Sequence, residues 1–123
     1  KGYPRIIIGN DAPSGTGVIP LGILRVINFL ASLCNVKAEE AVAMATGNTA
    51  KVYKLNRGVI EVGREADLVI MDAPMGSVGK DALSAIEAGD VPGIASVLID
   101  GQVRCGASRN TPPPNRKIVS SKQ

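Results

Sequence analysis

The segment Arg5-Ile6-Ile7-Ile8-Gly9-Asn10-Asp11 constrains the fold of this chain more than any other. An apolar run stops at a glycine and gives way at once to a carboxylate and the loop Ala12-Pro13-Ser14-Gly15-Thr16-Gly17. That is the pattern of a buried parallel strand at its C-terminal end. In α/β folds this end opens onto the mouth of the sheet, where the chemistry is placed. A parallel strand needs parallel neighbours, and the sequence offers no other strand candidate before residue 58. The chain is therefore expected to complete a barrel or open sheet, as a fragment of a fold rather than a whole one.

The residues that follow read as stacked helices. Pro20 suits a helix N1 position, and Leu21, Leu24, Ile27, Phe29, Leu30 and Leu33 recur at helical spacing with little polar surface. A second helix is expected from Lys37 to Ala45, with Glu39 and Glu40 in the first turn, where the helix dipole favours acids. Thr46-Gly47-Asn48 breaks it, and Asn48 or Thr49 can cap a short third helix through Tyr53. Residues 1–55 thus read as a last barrel strand, an active-site loop and closing helices.

Near residue 56 the period changes. Gly58–Gly63 and Ala66–Asp72 are short strand candidates between turn residues. A small helix is expected near Asp81–Ala88, stopped by Gly89 at C′. Ser96–Val103 reads as a hairpin turning on the type I′ pair Asp100-Gly101. Residues 56–105 make half a β-sandwich. Residues 106–123, with Pro112-Pro113-Pro114, read as an extended basic tail.

Composition narrows the function. With no Trp, one Phe and two Tyr, the chain lacks the stacking platforms that single-stranded nucleic-acid binding needs. Its core must be Ile, Val, Leu and Ala, which suits tight helix-on-sheet layers. The net charge of +3 comes from the last twenty residues, where Arg104, Arg109, Arg116, Lys117 and Lys122 occur without an acid. A solvated or subunit-wrapping tail is the expected reading, with an arm for nucleic acid or an anionic surface as its rival. Cys34 and Cys105 are too far apart for a zinc ribbon or a dithiol motif, and read as reduced thiols of a cytoplasmic protein. The apolar stretch from Val18 to Val36 is interrupted by Pro20, Gly22, Arg25, Asn28, Ser32 and Asn35, so it is no membrane span.

Other candidate motifs read as structure. Gly76-Ser77-Val78-Gly79-Lys80-Asp81 has Pro74 where a P-loop needs its first glycine, and no Ser or Thr after the lysine. Gly15-Thr16-Gly17 lacks the third glycine of a dinucleotide fingerprint. Asp67 and Asp72 are spaced to opposite faces of a strand, as boundary residues rather than a carboxylate pair. Arg25 and Lys51 read as helix-surface charges, although either is a conceivable anchor for an anionic substrate. Ser14, Gly15 and Thr16 are candidate substrate contacts, because glycines allow close backbone approach and hydroxyls can hydrogen-bond a ring amide or carboxylate.

Four segments in order resemble the C-terminal portion of the amidohydrolase superfamily. They are a strand ending in Asp11; Ala45-Thr46-Gly47-Asn48-Thr49-Ala50-Lys51, close to T-x-N-x-A; Gly58 to Asp72, matching G-x-I-x-x-G-x-x-A-D-L-V-x-x-D; and the hairpin Val97 to Val103. The resemblance spans residues 5 to 105. It implies the C-terminal part of a (β/α)8 TIM-like barrel with part of a small β-sandwich domain. It further implies a divalent metal site, expected to be binuclear with zinc or iron, with Asp11 as one ligand and as general base and acid. The chain has no histidine, so the other ligands must come from the N-terminal barrel portion of the same protein. Within the superfamily the branch most resembled opens cyclic enamides during bacterial nicotinate breakdown. Its reaction converts 6-oxo-1,4,5,6-tetrahydronicotinate to 2-formylglutarate and ammonia. Imidazolonepropionases and dihydroorotases share the same C-terminal pattern.

The expected partners are thus the rest of the barrel, a small cyclic amide and further copies of the protein, with no nucleic acid and no membrane. The rival reading is a non-catalytic α/β binding or oligomerisation module, which would account for the absent histidines. It leaves the apolar strand without neighbours unexplained.

Overall fold

The computed structural model describes residues 3–13 and 17–119. The elements run α1 (Gly22–Leu33), α2 (Ala38–Ala45), α3 (Gly47–Tyr53), β1 (Leu68–Asp72), α4 (Ala82–Glu87), β2 (Gly93–Ile99) and β3 (Gln102–Cys105). The result is a mixed α/β chain with a helical layer and one antiparallel sheet in the order β1-β2-β3.

The helical layer is built on small residues. Ile27 and Ala31 from α1, Ala38 and Ala41 from α2, and Ile86 from α4 form one buried cluster. Alanines at the crossing points let the helix axes approach closely, so the core closes without aromatics. Phe29 and Leu33 turn away and stay exposed. The short helix α4 packs against α1 and α2 although its sequence neighbours are strands. Local chemistry bounds it at both ends. Asp81 and Ser84 form a reciprocal capping box, with Ser84 N donating to Asp81 Oδ1 at 2.8 Å and Asp81 N to Ser84 Oγ at 3.1 Å. At its C-terminus Gly89, at φ 93°, lets Gly89 N reach Ile86 O at 3.1 Å and Asp90 N reach Ala85 O at 2.9 Å, a Schellman closure.

Two long-range contacts tie α4 to the other helices. Glu87 Oε1 accepts from Ala38 N at 3.2 Å, serving as a cap for α2 supplied from outside that helix. Asn28, buried in α1, donates Nδ2 to Asp90 O at 2.6 Å.

In the sheet, β1 pairs with β2 from Leu68↔Leu98 to Asp72↔Gly93, with a bulge at Ile70/Met71. The β2–β3 hairpin turns on Asp100 (φ 51°) and Gly101 (φ 72°), the two left-handed residues of the expected type I′ turn. The described residues after β3 contain neither helix nor strand, yet they lie pinned along β1 and β2. Ser108 N donates to Ile94 O at 3.0 Å, Ile94 N to Thr111 Oγ1 at 3.1 Å, and Asn115 N to Ala73 O at 2.9 Å. A Cβ on Gly93 would lie 2.6 Å from Pro114 Cα, so the tail is seated where β2 begins only because that residue has no side chain.

Three expectations are corrected. Residues 5–8 form no strand: Arg5 lies in a turn closed by Ile6 N on Tyr3 O, and Ile6 and Ile7 are 45% and 37% exposed; without a neighbouring strand among the described residues, no ladder can form. Gly58–Gly63 is a series of turns rather than a strand, with Gly58 and Gly63 both at positive φ and Ile60 and Val62 exposed. Pro20 lies outside α1, because Leu21, at φ 57°, takes the N-cap position and the helix starts at Gly22.

Candidate functional site

The segment carrying Asp11 is held by the corner between α2 and α3. Asn48 Nδ2 donates to Tyr3 O and to Ile6 O, both at 2.8 Å. Ile8 N donates to Met44 O at 3.3 Å, and Thr49 Oγ1 donates to the same carbonyl at 2.9 Å. Neither Asn48 nor Thr49 caps α3, whose N-cap is Thr46 with no side-chain hydrogen bond. The expected capping role is therefore replaced by a tertiary one.

Beyond Ile8 the chain crosses the first turn of α1. A Cβ on Gly22 would stand 3.0 Å from Asn10 Cβ and 3.1 Å from Asn10 Cγ, so a bare helix start is what admits the Asn10 side chain. Asn10 and Gly22 line an open cleft of about 260 Å³ with Ile19, Arg25, Val26 and Phe29. Arg25 is thus a surface residue beside the Asp11 segment, whereas Lys51 is exposed on α3.

Asp11 is exposed and left-handed, at φ 50°. Aspartate tolerates this backbone region better than most residues, and such conformations cluster at functional positions. Ser14, Gly15 and Thr16 lie outside the described residues. Among the described residues no three Cys, Asp or Glu side chains gather to hold a metal. An accessible carboxylate is a suitable hard ligand for a divalent cation, but it supplies one ligand of a site rather than a site.

The other acids have structural work. Asp67 accepts from Arg57 Nη1 at 2.7 Å and, through its other oxygen, from Asp100 N at 3.0 Å. Gly101 N donates to Ala66 O at 3.0 Å, so the Ala66-Asp67 pair staples the hairpin turn, and Arg57 also pairs with Glu65. Asp72 is buried and accepts from Arg116 N at 2.8 Å, Nε at 2.9 Å and Nη2 at 2.5 Å. The Arg116 hydrogen bonds hold its carboxyl well below the usual carboxylate range, overcoming the opposing effect of burial. Asp67 and Asp72 thus serve two separate sets of contacts, consistent with boundary residues. Cys34 and Cys105 are exposed and unbridged. No helix among the described residues is long and apolar enough to cross a membrane.

Sequence reasoning missed the Asn48 clamp, the Glu87 cap and the Arg116–Asp72 contact. Each joins residues more than forty positions apart. The only local signal was the placement of Asn48 within the T-x-N-x-A segment.

The model of the amidohydrolase family matches residues 5–104. Enamidase from Eubacterium barkeri is 62% identical over 112 residues, which cover 91% of this chain and 29% of the enamidase. A crystal structure of enamidase, described as a new member of the amidohydrolase superfamily, superposes with a TM-score of 0.90 at 60% identity. That superposition covers 93% of this chain and 30% of the solved one. The chain therefore spans less than a third of the relatives it matches, and within that span it belongs to the amidohydrolase family.

Proposed function

We propose that this chain is the C-terminal segment of a metal-dependent cyclic amidohydrolase that opens a ring C–N bond in the manner of enamidase. The observation that carries the reading is the 62% identity to enamidase across nearly the whole chain. It is joined by the placement of Asp11 at the end of a segment fixed by three hydrogen bonds. In the intact protein, residues 1–55 supply the last strand, loop and closing helices of a (β/α)8 barrel. Residues 56–105 supply part of the β-sandwich, and residues 106–123 form the tail. The rest of the barrel contributes the histidines that this chain lacks.

A divalent metal bound there, zinc or iron and binuclear by family resemblance, acidifies water toward neutral pH. One of the residues that hold it would be Asp11. It takes a proton from the attacking water and passes it to the departing ring nitrogen, acting first as base and then as acid. Ser14, Gly15 and Thr16, in the loop that follows, contact the ring amide or carboxylate. The substrate on this reading is a cyclic enamide such as 6-oxo-1,4,5,6-tetrahydronicotinate: the first water opens the ring to an open-chain enamine, and a second water replaces the nitrogen of its imine tautomer, giving 2-formylglutarate and ammonia in the cytoplasm.

The test is Asp11→Asn in the complete polypeptide, assayed by ammonia release from the cyclic enamide. Losing the proton carrier is expected to lower kcat by about 100-fold or more. Undiminished turnover in a metal-loaded Asp11→Asn enzyme sinks the proposal.

A further inference from the structure

We infer that Asn48 is a positioning residue for Asp11: its amide fixes the segment that delivers the carboxylate, and so sets the rate of ring opening without touching substrate. The inference rests on the role of Asp11 proposed above. Segment 3–10 has no strand to lie against among the described residues, so something other than a ladder must fix it. Both N–H groups of Asn48 Nδ2 are committed to it, one to Tyr3 O and one to Ile6 O at 2.8 Å each. The partners are both carbonyl oxygens, which determines the orientation of the amide. An –NH2 group on this short arm can serve two carbonyls at once, whereas a hydroxyl has one proton and a carboxylate has none.

Ile8 N supplies a third tie, to Met44 O at 3.3 Å. All three ties end on residues 44–48, the corner where α2 meets α3. Asp11 follows Ile8 by three residues, and Asn10 between them is seated on the bare backbone of Gly22. The segment cannot slide along its own axis without breaking both amide hydrogen bonds, and a slide would be carried forward to Asp11. A helix-capping role does not account for Asn48, since the N-terminus of α3 receives no side-chain hydrogen bond.

The experiment is a double-mutant cycle in the complete, metal-loaded enzyme, using Asp11→Asn, Asn48→Asp and the double variant, read as steady-state kcat and KM. Asn48→Asp places acceptors against two carbonyl oxygens. It is expected to lower kcat by about 100-fold, the cost of a misplacement near 1 Å, with KM little changed. In the Asp11→Asn background the same substitution is expected to cost nothing further, because the group it positions is already disabled. Asn48→Gln retains both donors on a longer arm and should recover part of the rate. Equal proportional losses in both backgrounds would mean that Asn48 only supports folding, and would overturn the inference. So would an unchanged kcat in Asn48→Asp beside an inactive Asp11→Asn. Full activity in Asp11→Asn alone would instead defeat the Asp11 reading. Where Asn48→Asp does not fold, Asn48→Ala removes the donors without adding charge, and the same cycle decides.

Discussion

Replacing Ile86 with alanine tests whether α4 is part of the helical core, as its packing indicates, or an appendage of the sheet it follows in sequence. Ile86 is fully buried in the cluster with Ile27, Ala31, Ala38 and Ala41. The substitution removes three carbons, a transfer loss of roughly 2.5 kcal/mol. The flanking residues are mostly alanines, whose side chains have no rotamers with which to fill the gap. A residual cavity of about 50 Å³ adds on the order of 1 kcal/mol. The expected loss is about 3.5 kcal/mol, within the range seen when isoleucine is truncated in a core.

A global unfolding curve of a multidomain protein would blur this number. The assay is therefore amide hydrogen exchange of the complete protein, resolved by segment. Where exchange tracks the local opening equilibrium, 3.5 kcal/mol is about a 400-fold gain in rate. The gain should appear together in α1, α2 and α4, because removing Ile86 weakens the contact all three share. Because α4 also supplies Glu87 to Ala38 N, the first turn of α2 should respond too. Faster exchange in α4 alone, or a rise below tenfold, would refute the shared core.

Two further predictions concern the tail. Gly93→Ala forces backbone against Pro114, with Cα and N both 2.6 Å from the new Cβ; neither atom can rotate away, so the tail must leave its seat. Trypsin should then cut at Arg109 and Arg116 faster than in the unchanged protein, and an unaltered cleavage pattern would refute the close approach. The Asp72 carboxyl is held below its ordinary value by Arg116. Its contribution is thus fully present above the unfolded carboxylate value of about 3.9 and is lost as pH falls further, toward the folded-state value. Exchange protection of the Asn115 and Arg116 amides, which donate to Ala73 O and to Asp72, should be flat from neutral pH down to about pH 5 and decline below about pH 4. Arg116→Gln should remove that acid transition by loosening the tail at every pH. An acid transition that persists in the variant would assign it to another group.

The sequence by itself determined the features that depend on neighbours along the chain. The helical spacing of α1, the acidic first turn of α2, the stop at Gly89 and the type I′ pair Asp100-Gly101 were all legible, because their hydrogen bonds close within a turn or two. Asp11 stands out locally as well, as a carboxylate directly after an apolar run that ends in glycine, although residues 5–8 form no strand. The tertiary structure alone decided the pairings across long separations. Asn48 could equally have capped α3, and only the arrival of the Tyr3–Ile6 backbone, 42 and 45 residues away in sequence, claims its amide. Arg116 looked like one of several tail charges until Asp72, 44 residues earlier, provided a buried carboxylate to receive it. Residues 5–8 and 58–63 show the converse. Both carry strand-forming residues, but a strand exists only where a second backbone offers its hydrogen bonds, and none of the described residues does so there. Propensity is written locally, whereas pairing is a property of two segments at once.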